Sequence, residues 1–156
     1  DSLTARVMSG PSGLFGYNEM WNSEAVLRAE MPSSNGVGDA RSLARFYAAL
    51  LDEVDGVRLL GPGQLAKACE RQVCGPDKVI FRETCFGLGF GLQPFLAPGA
   101  GPRAFGHPGA GGAMAFADPE AGLGFAYVMS AMKFDLEGDP RSTELIRAAY
   151  DCLGAS

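Results

Sequence analysis

A histidine, a proline and several glycines crowd into FGHPGAGG at 105–112, and His107 is the chain's single histidine. Glycines at 109, 111 and 112 put no side chain between a ligand and the main-chain N–H groups, and such donors can stabilise the oxyanion formed during acyl transfer. By residue type alone the plainer reading is favoured: the glycines make a tight strand connection and His107 satisfies a local hydrogen bond. A nucleophile for acyl transfer is harder to find. Ser33 and Ser34 in MPSSNG read as loop residues, and there is no G-x-S-x-G elbow. Covalent turnover needs a serine with a base beside it, so an oxyanion loop alone leaves the isolated chain inactive.

The elements that must hold this loop follow from period and punctuation. Residues 1–38 show no sustained period and read as a long surface loop. Asp39 caps a helix carrying Leu43, Phe46, Tyr47, Leu50 and Leu51 on one stripe and ending near Gly56. A second helix starts at Pro62, turns Leu65, Ala66 and Cys69 inward, and ends before Gly75. In CFGLGFGL, Gly87, Gly89 and Gly91 fall on one face of a strand over 86–92 and Leu88, Phe90 and Leu92 on the other. That bare face admits another backbone or a helix. The dinucleotide fingerprint fails there, because its last glycine is missing and no helix start follows, so no nucleotide cofactor is expected.

After a Pro/Gly loop at 94–102 comes a strand over 103–107. A hairpin then pairs 113–117 with 123–129 around the turn DPEAG. The last helix has Asp139 as cap, Pro140 at its first position, Leu153 at its end and Gly154 as its stop, with Leu145, Ala149, Cys152 and Leu153 expected inward. The chain thus divides into a loop-rich stretch (1–38), a helical stretch (39–75) and a sheet with its terminal helix (85–156). The fold class is α+β, an antiparallel sheet flanked by helices.

Composition bounds the partners. At 156 residues one core is possible, and 47% hydrophobic with 20% charged residues is ordinary for a soluble globular chain without a membrane span. Thirteen basic residues against eighteen acidic ones, scattered along the chain, argue against nucleic acid. Cys69, Cys74, Cys85 and Cys152 have no C-x-x-C spacing and there is little histidine to join them, so no metal site is expected. A disulfide among them is left open. The compartment stays open with them, the cytoplasm being slightly favoured.

The stretch FGHPGAGGAMAFADPEAGLGFAYVM at 105–129 resembles the third motif and following hairpin of the serine β-lactamase and penicillin-binding-protein superfamily. The likeness is nearest to class C-like enzymes and family VIII carboxylesterases. EMPSSNGVGDARSLARFYAALL at 30–51 and GDPRSTELIRAAYDCL at 138–153 look like the same group, so the resemblance runs from about residue 30 to the end. It implies part of a β-lactamase/DD-peptidase-like fold and a serine hydrolase working through an acyl-enzyme. The Lys-Thr-Gly type triplet, in its His-x-Gly variant, maps onto His107, Pro108 and Gly109. The N–H of Ala110 would then be one oxyanion donor, with the nucleophilic serine's own N–H as the other, and His107 would assist proton traffic or substrate placement. Pro108 in place of Thr removes a hydroxyl that can bind a lactam carboxylate, which tilts the substrate from β-lactam toward ester.

The resemblance calls for Ser-x-x-Lys and Tyr-x-Asn motifs that are not recognisable in place: the literal Ser-x-x-Lys, SAMK at 130–133, follows a strand instead of opening a helix and is set aside, and none of Tyr17, Tyr47, Tyr127 and Tyr150 has Asn two residues later. The resemblance therefore implies that the complete protein supplies them from elsewhere, on a further segment or a second chain. Association of copies is expected through the face opposite the terminal helix, where a missing segment would leave apolar surface. A non-catalytic binding or interaction domain using the same cleft is the alternative.

Overall fold

A computed structural model describes residues 2–10, 16, 19–133 and 138–154. The chain forms two compact units, one of Asp1–Gly38 with Pro76–Arg82 and one of Asp39–Gly75 with Glu83–Ser156.

The first unit, read from the sequence as a long surface loop, also contains short helical turns. Ser2 caps α1 (Leu3–Met8) by accepting from Ala5 N–H at 3.1 Å, a 3-10 turn occupies Glu19–Asn22, and Ser23 caps α2 (Glu24–Leu27). Helices this short show no periodicity, so serine caps were their one signature. The Thr4 hydroxyl donates to the Val79 carbonyl and ties the two stretches of this unit together.

In the second unit Asp39 caps α3 (Ala40–Leu51) through Ser42 N–H at 2.7 Å, as the sequence indicates. The helix ends before Gly56, because Asp55 and Gly56 take positive φ and reverse the chain between Val54 and Val57. Tyr47 and Leu50 are buried, while Leu43 and Leu51 pack partly buried against them. Phe46, expected inward, is 47% exposed because the buried stripe runs through Tyr47, Ala49 and Leu50 instead. Helix α4 (Pro62–Ala68) begins on its proline and packs Leu65 and Cys69 on the same core, but Ala66 is exposed.

Six strands follow in sequential order: β1 (Val73–Pro76), β2 (Glu83–Phe86), β3 (Gly91–Leu92), β4 (Phe105–Pro108), β5 (Met114–Asp118) and β6 (Leu123–Tyr127). β1 begins at the end of the stretch expected to be helical, and a Cys74–Cys85 disulfide ties it to β2. The single strand expected over 86–92 is a hairpin instead. Gly87 N–H donates to Phe90 O at 2.9 Å and Gly89 has φ +88°, so the glycine run turns the chain between β2 and β3. The close approach expected of that bare face does occur at Gly87, where a Cβ would collide with the Ala68 carbonyl of α4.

Strands β4, β5 and β6 follow the expected hairpin order, with Phe116 opposite both Gly106 and Phe125. All five residues of β5 are buried, because helices cover both of its faces. Ala115 and Ala117 face α3, whereas Met114 and Phe116 face the terminal helix α5 (Pro140–Leu153). Small residues let α3 sit close. A Cβ at Gly124 of β6 would stand 2.6 Å from the Ala44 carbonyl and 2.7 Å from Ala48 N. Gly124→Val is therefore expected to cost about 1–3 kcal/mol of stability, since overpacking must push the helix away. The check is a lowered urea midpoint at unchanged slope. An unchanged midpoint would mean that α3 can lift without loss.

Helix α5 starts and stops as read, with Asp139 as cap, Pro140 at its first position and Gly154 left-handed at φ 68°. Its inward stripe is a correction: Ser142, Ile146 and Tyr150 are buried, Ala149 is half-buried, and Leu145, Cys152 and Leu153 are exposed. The phase is set by Ile146 and Tyr150, which pack with Leu96, Ala97, Ala104 and Phe116. The sheet face opposite α5, expected to be open to a partner, carries α3 and α4. Among the described residues no helix is long and apolar enough to cross a membrane.

Candidate active site at the end of β4

His107 occupies the third position of β4, opposite Ala115, and its side chain is exposed. Its Nδ1 lies 2.7 Å from the Pro108 carbonyl oxygen. A carbonyl only accepts, so in the neutral ring Nδ1 carries the hydrogen and Nε2 keeps its lone pair. The ring is also held by two others. Phe86, at the end of β2, stacks with it at 6.1 Å and 27°, and Phe95 meets it edge-on at 5.9 Å and 74°. Phe95 is itself buried, with its ring over Gly91, where a Cβ would come within 2.9 Å of it. The disulfide-bonded Cys85 precedes Phe86 directly, so the pin between β1 and β2 sits next to this aromatic pair. Nothing local to FGHPGAGG announces Phe86 or Phe95, since both arrive from other elements.

The glycine stretch forms a closed turn. Gly109 N–H donates to Ala113 O at 2.7 Å, Gly112 N–H donates to Gly109 O at 3.0 Å, and Gly112 takes φ +103°. Lys133 N–H donates to Gly111 O at 3.0 Å, so the segment after β6 runs beside the turn. Ala110 is exposed at the apex, and among the described residues no acceptor takes its N–H. His107, Gly109 and Ala110 are thus brought together at one strand end.

The other candidates are dispersed. The SAMK stretch at 130–133 lies in a bend after β6 and is exposed, without the helical setting that such a motif requires. Ser33 and Ser34 are exposed residues around a turn in the first unit. Burial pushes the phenols of Tyr47 and Tyr150 above their ordinary range, which makes both poor proton acceptors at neutral pH. Tyr127 is half-buried at the end of β6, and Tyr17 lies outside the described residues.

The beta-lactamase family matches residues 4–149 of the chain. "Esterase/beta-lactamase LipL" of Mycobacterium tuberculosis (strain ATCC 25618 / H37Rv) is 39% identical over 109 residues, which is 66% of this chain and 24% of LipL. The crystal structure of a family VIII carboxylesterase superposes with a TM-score of 0.78 at 38% identity, covering 84% of this chain and 36% of that one. A penicillin-binding protein homolog from Caulobacter crescentus gives a TM-score of 0.80 at 37% identity, covering 95% and 39%. The chain therefore spans about a quarter of LipL and somewhat over a third of the two solved chains. A six-stranded antiparallel sheet held between helices, the extent of the family match and these structural likenesses together place the chain in the beta-lactamase family of serine hydrolases.

Proposed function

We propose that this chain is the part of an acyl-transferring serine hydrolase that supplies the His-x-Gly triplet and one oxyanion donor, and that its substrates are esters in preference to β-lactams. The observation that carries the proposal is the turn after β4, which leaves Ala110 N–H without an acceptor next to His107. In the reaction a serine oxygen, its proton passing to the adjacent base, attacks the substrate carbonyl, whose π pair moves onto oxygen, and Ala110 N–H donates to that oxyanion. Collapse breaks the bond to the leaving alkoxide, which takes the proton that the base removed from the serine. Water then hydrolyses the acyl-enzyme and returns the serine. His107 offers the Nε2 lone pair for proton traffic or for orienting the substrate. Pro108 has no hydroxyl to offer a lactam carboxylate, which favours esters. The serine and its base come from the rest of the protein or from a second chain.

The test compares the complete protein carrying this chain with the chain alone, using p-nitrophenyl butyrate and a chromogenic cephalosporin. The complete protein is expected to turn over the ester faster than the cephalosporin. The isolated chain is expected to show no acylation burst, and Ser130→Ala is expected to change nothing. Stoichiometric acylation of the isolated chain, mapped to Ser130 by mass spectrometry and abolished by Lys133→Ala, would overturn this reading. Failure of the complete protein to acylate at all would leave the non-catalytic binding domain in its place.

A further inference from the structure

A helix cap lies directly beneath the turn that presents Ala110. Asp139, the cap of α5, keeps its carboxylate almost wholly buried, with 2% of the side chain exposed. Its Oδ1 accepts from Arg141 N–H at 2.9 Å, and Arg141 Nε donates to both carboxylate oxygens at 2.9 Å. Arg141 Nη2 also donates to Oδ2, completing a two-pronged ion pair. A planar guanidinium fork matched to a carboxylate fixes geometry in a way that a point charge does not. The pairing holds the Asp139 carboxyl below its ordinary range, chiefly through the hydrogen bond from Arg141.

This pair touches the turn along two routes. A Cβ at Gly112 would collide with Asp139 Oδ2 and stand 3.4 Å from Arg141 Nη2, so the Gly112 backbone rests on the ion pair itself. Arg141 Nη1 donates to Ala131 O at 3.0 Å, and two residues further on Lys133 N–H holds Gly111 O. Both residues that follow Ala110 are therefore anchored to one guanidinium–carboxylate unit, while Ala110 itself makes no such contact.

We propose that Arg141, locked onto Asp139, is a positioning residue for the turn at 109–113, fixing Gly111 and Gly112 so that Ala110 N–H stands ready for the oxyanion. The inference rests on the oxyanion role given to Ala110. A donor that wanders by even 1 Å costs up to about a hundredfold in rate, which is the penalty such a clamp avoids.

Two readouts test it. In the chain as it stands, Arg141→Ala is expected to lower the urea midpoint, because the buried Asp139 carboxylate loses its partner, and to raise amide hydrogen exchange at Gly112 and Lys133 about tenfold more than at the central amides of α5. Asp139→Asn is expected to do the same, since Asn still caps the helix but loses the ion pair. Arg141→Lys restores charge without the fork and is expected to recover only part of the protection. In the complete protein Arg141→Ala is expected to lower kcat about tenfold with little change in KM. Unchanged exchange at Gly112 and Lys133 in a folded Arg141→Ala variant would overturn the positioning role, as would equal loosening along all of α5. Faster exchange with an unaltered kcat would instead overturn the oxyanion role of Ala110, so the two failures are distinguishable.

Discussion

Truncating Asp118 to alanine is expected to lower the unfolding free energy by about 3–4 kcal/mol, read from urea denaturation. Asp118 is 1% exposed at the end of β5. One carboxylate oxygen accepts from the Tyr150 hydroxyl at 2.5 Å, and the other accepts from Glu120 N–H at 2.9 Å and Ala121 N–H at 3.4 Å. The phenol oxygen in turn accepts from Gly101 N–H at 2.9 Å. One buried group thereby joins the β5–β6 turn, the loop before β4 and helix α5. Hydrogen bonds to a charged acceptor contribute about 1.5–3 kcal/mol each, and they are not additive, so the loss of all three falls below their sum. Tyr150→Phe removes the hydroxyl that donates to Asp118 and accepts from Gly101 N–H, and is expected to cost about 1.5–3 kcal/mol. If Asp118→Ala proves no worse than Tyr150→Phe, the two turn amides contribute no more than the Gly101 bond that Tyr150→Phe also loses.

The same network gives a pH dependence of known sign. Burial, and then the hydrogen bond to Asp118, push the Tyr150 phenol up from 10.0 to about 12. The unfolded chain therefore releases this proton before the folded one does, and stability falls as pH rises. The contribution is whole below pH 10 and is lost progressively toward pH 12. In Tyr150→Phe the decline in urea midpoint above pH 10 is expected to be shallower by this one proton.

What the sequence disclosed and what it concealed divide by range. The cap Asp139, Pro140 at the first helical position and the stop at Gly154 are local chemistry, and α5 takes those limits. The Asp-Pro-Glu-Ala-Gly turn likewise placed the β5–β6 hairpin, whose register runs from Met114 opposite Tyr127 to Asp118 opposite Leu123. The run Gly87, Gly89, Gly91 misled because glycine at every second position suits a bare strand face and a tight turn equally. Only the positive φ at Gly89 and the collision waiting at Gly87 decide between them. The phase of α5 was missed for a similar reason: Leu145 and Leu153 look more apolar than Tyr150, but the partner that draws Tyr150 inward is Asp118, 32 residues away. At the site, His107, Gly109 and Ala110 are neighbours in sequence and were legible together. Phe86, Phe95, Asp139 and Arg141 come from other strands, loops and helices, and no spacing rule connects them to the turn that they support.

In the complete protein, His107→Ala is expected to lower kcat/KM for ester hydrolysis by about 10²–10³-fold, equivalent to about 2.7–4 kcal/mol of transition-state stabilisation. The ring is exposed, so its removal opens no cavity in the core and the urea midpoint should hardly move. The neighbouring variants separate the two roles open to it. His107→Gln keeps a polar group that can orient a substrate but cannot carry a proton near neutral pH. If His107 moves protons, Gln is as poor as Ala and the loss falls on kcat. If it places the substrate, Gln recovers much of the rate and the Ala defect appears largely in KM. Phe86→Leu supplies the matching control on the scaffold, because it removes the ring stacked on His107 without touching the Nδ1–H bond to Pro108. It is expected to reduce kcat/KM by several-fold in the wild-type background and to have no further effect once His107 is Ala, since coupled residues lose additivity. Full activity in folded His107→Ala would remove the imidazole from the proposed mechanism.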